Sequence, residues 1–202
     1  MDKETLLKKH WGFTTFKPLQ KDIITSTMAG YDTVGLLPTG GGKSLCYQLP
    51  SLLKEGFVLV VSPLIALMED QVQDLLKRGI KAMYFESHKK SISLTQQLDN
   101  CTFGNYKVVY VSPEKLTNTL FLQKIVHAPI SLIAIDEAHC ISEWGHDFRT
   151  SYLNLAYTIE KFAPNVPILC LTATAAVKVI QDIQIEFDMS DEDIVYSMDQ
   201  SR

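Results

Sequence analysis

Leu36-Leu37-Pro38-Thr39-Gly40-Gly41-Gly42-Lys43-Ser44 closes a short apolar run and leads into a helical pattern over residues 45–53. Three consecutive glycines leave no Cβ in the way, so backbone N–H groups can close around a phosphate. A helix starting at Lys43 would point its positive dipole end at the same spot. Lys43 can reach β- and γ-phosphates, and the Ser44 hydroxyl can ligate magnesium. The stretch departs once from G-x-x-x-x-G-K-S, because Leu37 stands where the first glycine would be. A plain flexible Gly-Gly-Gly turn would not need the Lys-Ser pair, the strand before or the helix after.

Working outward, apolar β-branched runs alternate with amphipathic helical patterns. Strands are expected over residues 33–37, 57–62, 82–85, 106–112, 132–136 and 168–172. Several are apolar at nearly every position, as strands buried on both faces of a parallel sheet must be. Pro38, Pro63 and Pro113 follow strands, where a backbone donor is no longer needed. Helical spacing marks residues 1–10, the segment from Pro18 to Gly30, the segment from Leu64 to Gly79, and the segment from Leu153 to Phe162. Pro50 is expected to kink or end the helix after the glycine loop. The fold class is α/β, a doubly wound, mostly parallel sheet with helices on both faces.

Ligands of such sheets bind beyond the carboxyl ends of the strands. The glycine loop, Ser62-Pro63-Leu64, Asp136-Glu137-Ala138-His139 and Thr172-Ala173-Thr174 all fall at such ends. Asp136 can hold magnesium through a water, and Glu137 can orient or deprotonate the water attacking a γ-phosphate. His139 can relay between the phosphates and a second ligand, or be structural. Gln20 can donate to and accept from the edge of adenine, with Phe13 and Lys17 over its faces; Phe16 reads as core packing. Thr172-Ala173-Thr174 can bond toward the acid pair, or Thr174 can cap a helix carrying Val177 and Ile180.

Residues 140–149 bring Trp144, His146, Phe148 and Arg149 together beside Gly145 with neither strand nor helix period. Aromatic rings on a loop can stack on the bases of a single strand. The other reading is an aromatic plug closing the domain, since Trp and Phe usually bury.

The 202 residues suffice for one α/β domain with a sizeable core. At net charge −4 the chain is no polycation, so nucleic-acid contact must come from a local patch. No apolar run approaches a membrane span, and Met1-Asp2-Lys3-Glu4 does not read as a secretory signal. Cys46, Cys101, Cys140 and Cys170 form no C-x-x-C pair, so free thiols in a reducing, cytoplasmic setting are expected rather than disulfides or zinc.

In order, the motifs read Phe16-Lys17-Pro18-x-Gln20, Pro38 to Ser44, Ser62-Pro63-Leu64-Ile65-Ala66-Leu67-Met68-x-Asp70-Gln71-Val72, Tyr110-Val111-Ser112-Pro113-Glu114-Lys115-Leu116, Asp136-Glu137-Ala138-His139 and Leu171-Thr172-Ala173-Thr174-Ala175. Across nearly its whole length the chain resembles the first RecA-like lobe of RecQ-type ATP-dependent DNA helicases, a P-loop NTPase fold. The loop after the acid pair carries the resemblance furthest. The family also lacks the first glycine, and more often has arginine where Lys17 stands.

The resemblance implies ATP and Mg2+ as cofactors, 3′-to-5′ movement on single-stranded DNA, and unwinding of forked DNA in repair and recombination. By position, Phe13, Lys17 and Gln20 would contact adenine, and Thr39, Gly40, Gly41, Gly42, Lys43 and Ser44 the phosphates. Ser44 and Asp136 would hold the metal, and Glu137 the water. Trp144, His146, Phe148, Arg149, His139, Thr172 and Thr174 would couple DNA contact to hydrolysis. Ser62, Pro63, Asp70 and Gln71 would lie along the DNA. The resemblance divides the chain into N-terminal helices over 1–30 and a P-loop core over 31–202. It implies a second RecA-like lobe as partner, with the zinc region and winged helix of the family lying elsewhere. Such a fragment is expected to hydrolyse ATP weakly and not to unwind DNA alone, in the cytoplasm or on the nucleoid if bacterial. A nucleotide-dependent binding module without turnover, or a lobe of an RNA helicase, would share most of these motifs.

Overall fold

Each of the six apolar runs becomes a strand, and a seventh joins them. The computed structural model describes residues 1–38, 42–85, 92–174 and 176–195. The strands are β1 (Thr33–Leu36), β2 (Phe57–Val61), β3 (Ala82–Tyr84), β4 (Val108–Val111), β5 (Ile130–Ile135), β6 (Ile168–Thr172) and β7 (Ile194–Val195). They form one sheet in the order β3-β4-β2-β5-β6-β1-β7, every pair parallel. β7 follows an acid-rich turn and is only two residues long, so it carries no pattern a sequence could reveal.

The helices are α1 (Lys3–Trp11), α2 (Gln20–Met28), α3 (Leu45–Leu53), α4 (Ile65–Lys77), α5 (Leu94–Phe103), α6 (Thr119–Ile125), α7 (Leu155–Phe162) and α8 (Val177–Phe187). Alternation along each strand sorts the core into two layers. Phe57, Leu59 and Val61 of β2 share one cluster with Leu98, Phe121, Ile159 and Ile183 of α5, α6, α7 and α8. Val58 and Val60 face the other way, toward Ile23, Tyr47 and Met68 of α2, α3 and α4. Each fully buried branched side chain contributes about 1.5–3 kcal/mol, so strands apolar at every position are what two covered faces require. α1 packs through Leu7 onto Ile24, Leu45 and Leu49.

Three local expectations need correction. Helix α2 begins at Gln20, two residues past Pro18, because Leu19 takes a left-handed conformation at its N-cap. Helix α3 spans Leu45–Leu53 as the pattern over 45–53 predicts, so Lys43 lies just before it rather than at its start, and it runs on through Pro50. The proline ring costs an interior helix about 3 kcal/mol; seven buried residues from Leu45 to Ser51 outweigh it. Helices α5 and α6 carry no long apolar stripe, so their spacing does not mark them in the sequence.

Candidate functional site

The sheet order makes β2, β5, β6 and β1 consecutive. Being parallel, they deliver four polar segments to one rim. Backbone pairing continues past the strands: Leu37 N–H donates to Thr172 O, Ser62 N–H to Val111 O, and Asp136 N–H to Val61 O. Ser62 and Thr172 are buried at this rim. Thr39, Gly40 and Gly41 lie outside the described residues. The remainder of the glycine loop is in place. Gly42 has φ +76°, and a Cβ there would collide with Gln20 Nε2. Close backbone approach at Gly42 thus depends on having no side chain.

Lys43 Nζ lies 3.6 Å from Glu137 Oε1. The lysine of the loop and the acid pair therefore share one site. Glu137 itself holds a left-handed backbone, φ 52°, a conformation that costs a non-glycine residue of order 1–3 kcal/mol and clusters at functional sites. Its N–H donates to Asp136 Oδ1 at 2.9 Å, and the Asp136 carbonyl accepts from the Tyr152 hydroxyl at 3.0 Å. Burial, then the neighbouring Glu137 charge, push the Asp136 carboxyl up to about 6, with Lys43 opposing. A cation beside Asp136 would reverse that. The Ser44 hydroxyl makes no capping bond to α3. These two groups fit the magnesium-binding set expected of them.

Gln20 is buried, and its amide is engaged. Lys17 N–H donates to Gln20 Oε1 at 2.8 Å, and Gln20 Nε2 donates to Gly42 O at 3.0 Å. Gln20 therefore ties the N-terminal segment to the glycine loop, a bond the sequence could not reveal. Phe13 is exposed and Phe16 packs against the α1 cluster.

His139 joins the acid pair to its surroundings. Its Nδ1 lies 3.0 Å from Thr172 Oγ1 and 3.4 Å from Glu137 Oε2, and its ring stacks on His146 at 4.7 Å. Burial first, with His146 and Lys43 adding and Glu137 opposing, lowers its pKa. Thr172 thus reaches the acid pair through His139. Thr174 does not cap α8; its N–H donates to Thr172 Oγ1, and Ala176 is the N-cap.

Past His139 the chain makes a short 3₁₀ turn, Ala138–Ile141, and then the aromatic loop. Trp144 is 71% exposed, which rules out the plug for that ring; Phe148 is half-buried. Arg149 N–H donates to Cys140 O at 2.9 Å, and its guanidinium lies 3.4 Å from Asp147, with Nε buried and unbonded. The fold brings His139, Cys140 and Asp147 donor atoms within 4.8 Å of one another, a juxtaposition that cysteine spacing could not foretell. Burial pushes the Cys140 thiol up to about 12, and the thiol points at Asp147, which also pairs with Arg149. The trio therefore reads as a loop brace.

Of the residues after β2, Pro63 is half-buried and Asp70 exposed. Gln71 turns inward instead: its Oε1 accepts from Gln48 Nε2 at 2.9 Å, and Gln48 also reaches the Tyr110 hydroxyl, 3.0 Å from that of Tyr47. This network binds α4 to α3 behind the glycine loop. Leu64, Ile65 and Leu67 stay exposed beside Pro63.

The sequence model of the DEAD/DEAH box helicases matches residues 17–183. The chain is 48% identical over 184 residues to a probable ATP-dependent DNA helicase RecS of Bacillus subtilis, covering 88% of this chain and 35% of that protein. It is 41% identical over 195 residues to the ATP-dependent DNA helicase RecQ of the same organism, covering 96% and 33%. It spans about a third of the length of these relatives. Among solved structures, the Pyrococcus furiosus Hef helicase domain superposes with TM-score 0.67 at 20% identity, over 90% of this chain and 38% of that one. The fold, the shared rim and the family match agree: this chain belongs to the DEAD/DEAH box helicase family.

Proposed function

We propose that this chain is the ATP-binding motor lobe of a 3′-to-5′ DNA helicase. It couples hydrolysis to movement along single-stranded DNA and opening of forked duplexes in repair and recombination. The observation that carries this is the 3.6 Å approach of Lys43 to Glu137 on a rim that leads straight into an exposed aromatic loop. In this reading Lys43 and the residues 39–42 hold the triphosphate. Ser44 and Asp136 hold magnesium, which supplies neutralisation of phosphate charge. Glu137 orients and deprotonates the attacking water, and Phe13, Lys17 and Gln20 flank adenine. Ser62, Pro63 and Asp70 border the strand, which stacks on Trp144 and Phe148 beside His146 and Arg149. Gln71 supports that border from within. His139, Thr172 and Thr174 link the two ligands. The four buried thiols suit a reducing compartment, the cytoplasm or a bacterial nucleoid.

A second lobe completes the site. Arg78 is held by Asp74 and the His10 carbonyl and lies over Trp11, and Arg149 pairs with Asp147. Neither of these two, the arginines among the described residues, is free to act on a phosphate at Lys43. An arginine finger contributes roughly 10³–10⁵ in rate in related NTPases, so this chain alone should bind Mg-ATP and turn it over slowly. Titrating Mg-ATP and oligo(dT) separately into the wild type and Lys43→Ala tests the reading. The variant should lose ATP affinity and keep DNA affinity. Equal ATP binding by both would refute it, and stronger binding of an RNA of matching sequence would reassign the strand to RNA.

A further inference from the structure

We propose that Asp182 on α8 is a positioning residue for the aromatic loop, a role that rests on reading this loop as the strand contact. Ser142 is buried, and its hydroxyl donates to Asp182 Oδ2 at 2.6 Å. A carboxylate can only accept, so the hydroxyl proton is committed to Asp182. The lone pairs of Ser142 Oγ are then left to accept, and Trp144 N–H donates to them at 3.1 Å. One carboxylate thereby sets the polarity of the chain of bonds that fixes the Trp144 backbone.

Lys178, one helical turn before Asp182, lies on the same face of α8. Its ammonium sits 5.7 Å from the Trp144 ring centroid. The Trp144 backbone is held through Ser142 and its exposed ring faces the Lys178 cation, and both holds come from α8. That helix follows directly on Thr172 and Thr174, which reach back to His139 and so to Glu137. The aromatic loop is thus tied to the acid pair at both ends: along the chain through the 3₁₀ turn, and through space by way of α8 and β6. A ring that swings freely would lose its orientation on a base and would also break the second tie.

The test uses this chain with Trp11→Phe, so that Trp144 is the sole fluorescent tryptophan. Asp182→Ala should lower Trp144 anisotropy and weaken oligo(dT) binding about fivefold, the worth of one hydrogen bond of about 1 kcal/mol, with Mg-ATP affinity unchanged. Asp182→Asn, whose amide oxygen still accepts, should retain both signals. Wild-type anisotropy and DNA affinity in Asp182→Ala would overturn the proposal, as would a parallel loss of Mg-ATP binding, which marks a merely structural staple. If Asp182→Ala does not fold, Ser142→Ala removes the same bond from the other side and must show the same two losses. Should Trp144→Ala leave DNA affinity intact, the strand-contact reading fails, while the anisotropy comparison still decides whether Asp182 holds the ring.

Discussion

At the scale of single residues, His139 concentrates the most chemistry. It touches Glu137, Thr172 and His146 at once, and burial keeps its ring neutral below the usual histidine range. The unfolded chain takes up that proton near ~6.5, whereas the folded chain does so only at lower pH. Unfolding is therefore favoured by protons. The stability His139 contributes is whole above the unfolded value and is lost as pH falls from there through the lower folded one. From pH 7 to pH 5.5 the urea unfolding midpoint of the wild type should drop relative to that of His139→Asn, which keeps a polar group near Nδ1; Asp136, with its carboxyl raised to about 6, gains stability over the same window in both proteins, so the difference between them reports His139. Identical slopes would show that other groups govern the acid limb. Sequence made His139 a candidate by its place after the acid pair, but it could not show that Thr172, 33 residues on at the end of β6, meets the same ring.

At the scale of elements, the aromatic loop has little regular structure yet is closely constrained by its neighbours. A Cβ at Gly145 would lie 2.9 Å from His139 O and 3.3 Å from Ser142 O. Both are backbone atoms that cannot swing aside, so the loop itself must shift. Overpacking of this kind costs about 1–3 kcal/mol. Gly145→Ala should lower thermal stability by that order and weaken oligo(dT) binding, as differential scanning and fluorescence titration would report. A variant with unchanged DNA affinity would mean that the loop adapts without consequence. Helix α3 carries the complementary lesson: Pro50 argued for a break, and burial of the residues around it overrode the argument. Leu19 does the same at α2, where a left-handed leucine at the N-cap starts the helix that places Gln20 against Gly42.

At the scale of the whole molecule, all four cysteines are buried. Burial pushes the thiols of Cys46, Cys101 and Cys140 up to about 12 and that of Cys170 well above the usual thiol range. A thiol reacts through its thiolate, so the native chain should react with a disulfide reagent only as fast as it opens. In denaturant all four should react at once. Cys140, under the aromatic loop, should be released by local opening before Cys170, which sits in the central strand β6. Equal rates for the two would indicate that the loop opens only with the sheet. Among the described residues no helix is long and apolar enough to cross a membrane.

The architecture was legible in the sequence because a parallel sheet covered on both faces demands uninterrupted apolar runs, and six such runs stand between turn residues. The acid pair and the Lys-Ser step were legible because their residue types have few other uses in that context, whereas the sequence left Trp144 open between a stacking ring and a plug, and only its exposure in the fold decided it. What escaped were elements and contacts without a local signature. β7 is two residues long, and Gln71 looks like a surface glutamine until α3 presents Gln48 to it. Asp182 looks like a solvated helix acid until the loop brings Ser142 to within 2.6 Å. Chain order alone determined which groups the strand ends could carry. Only the packed sheet decided which of them meet, because inserting β5 and β6 between β2 and β1 sets four distant segments side by side, and no sequence interval encodes that adjacency.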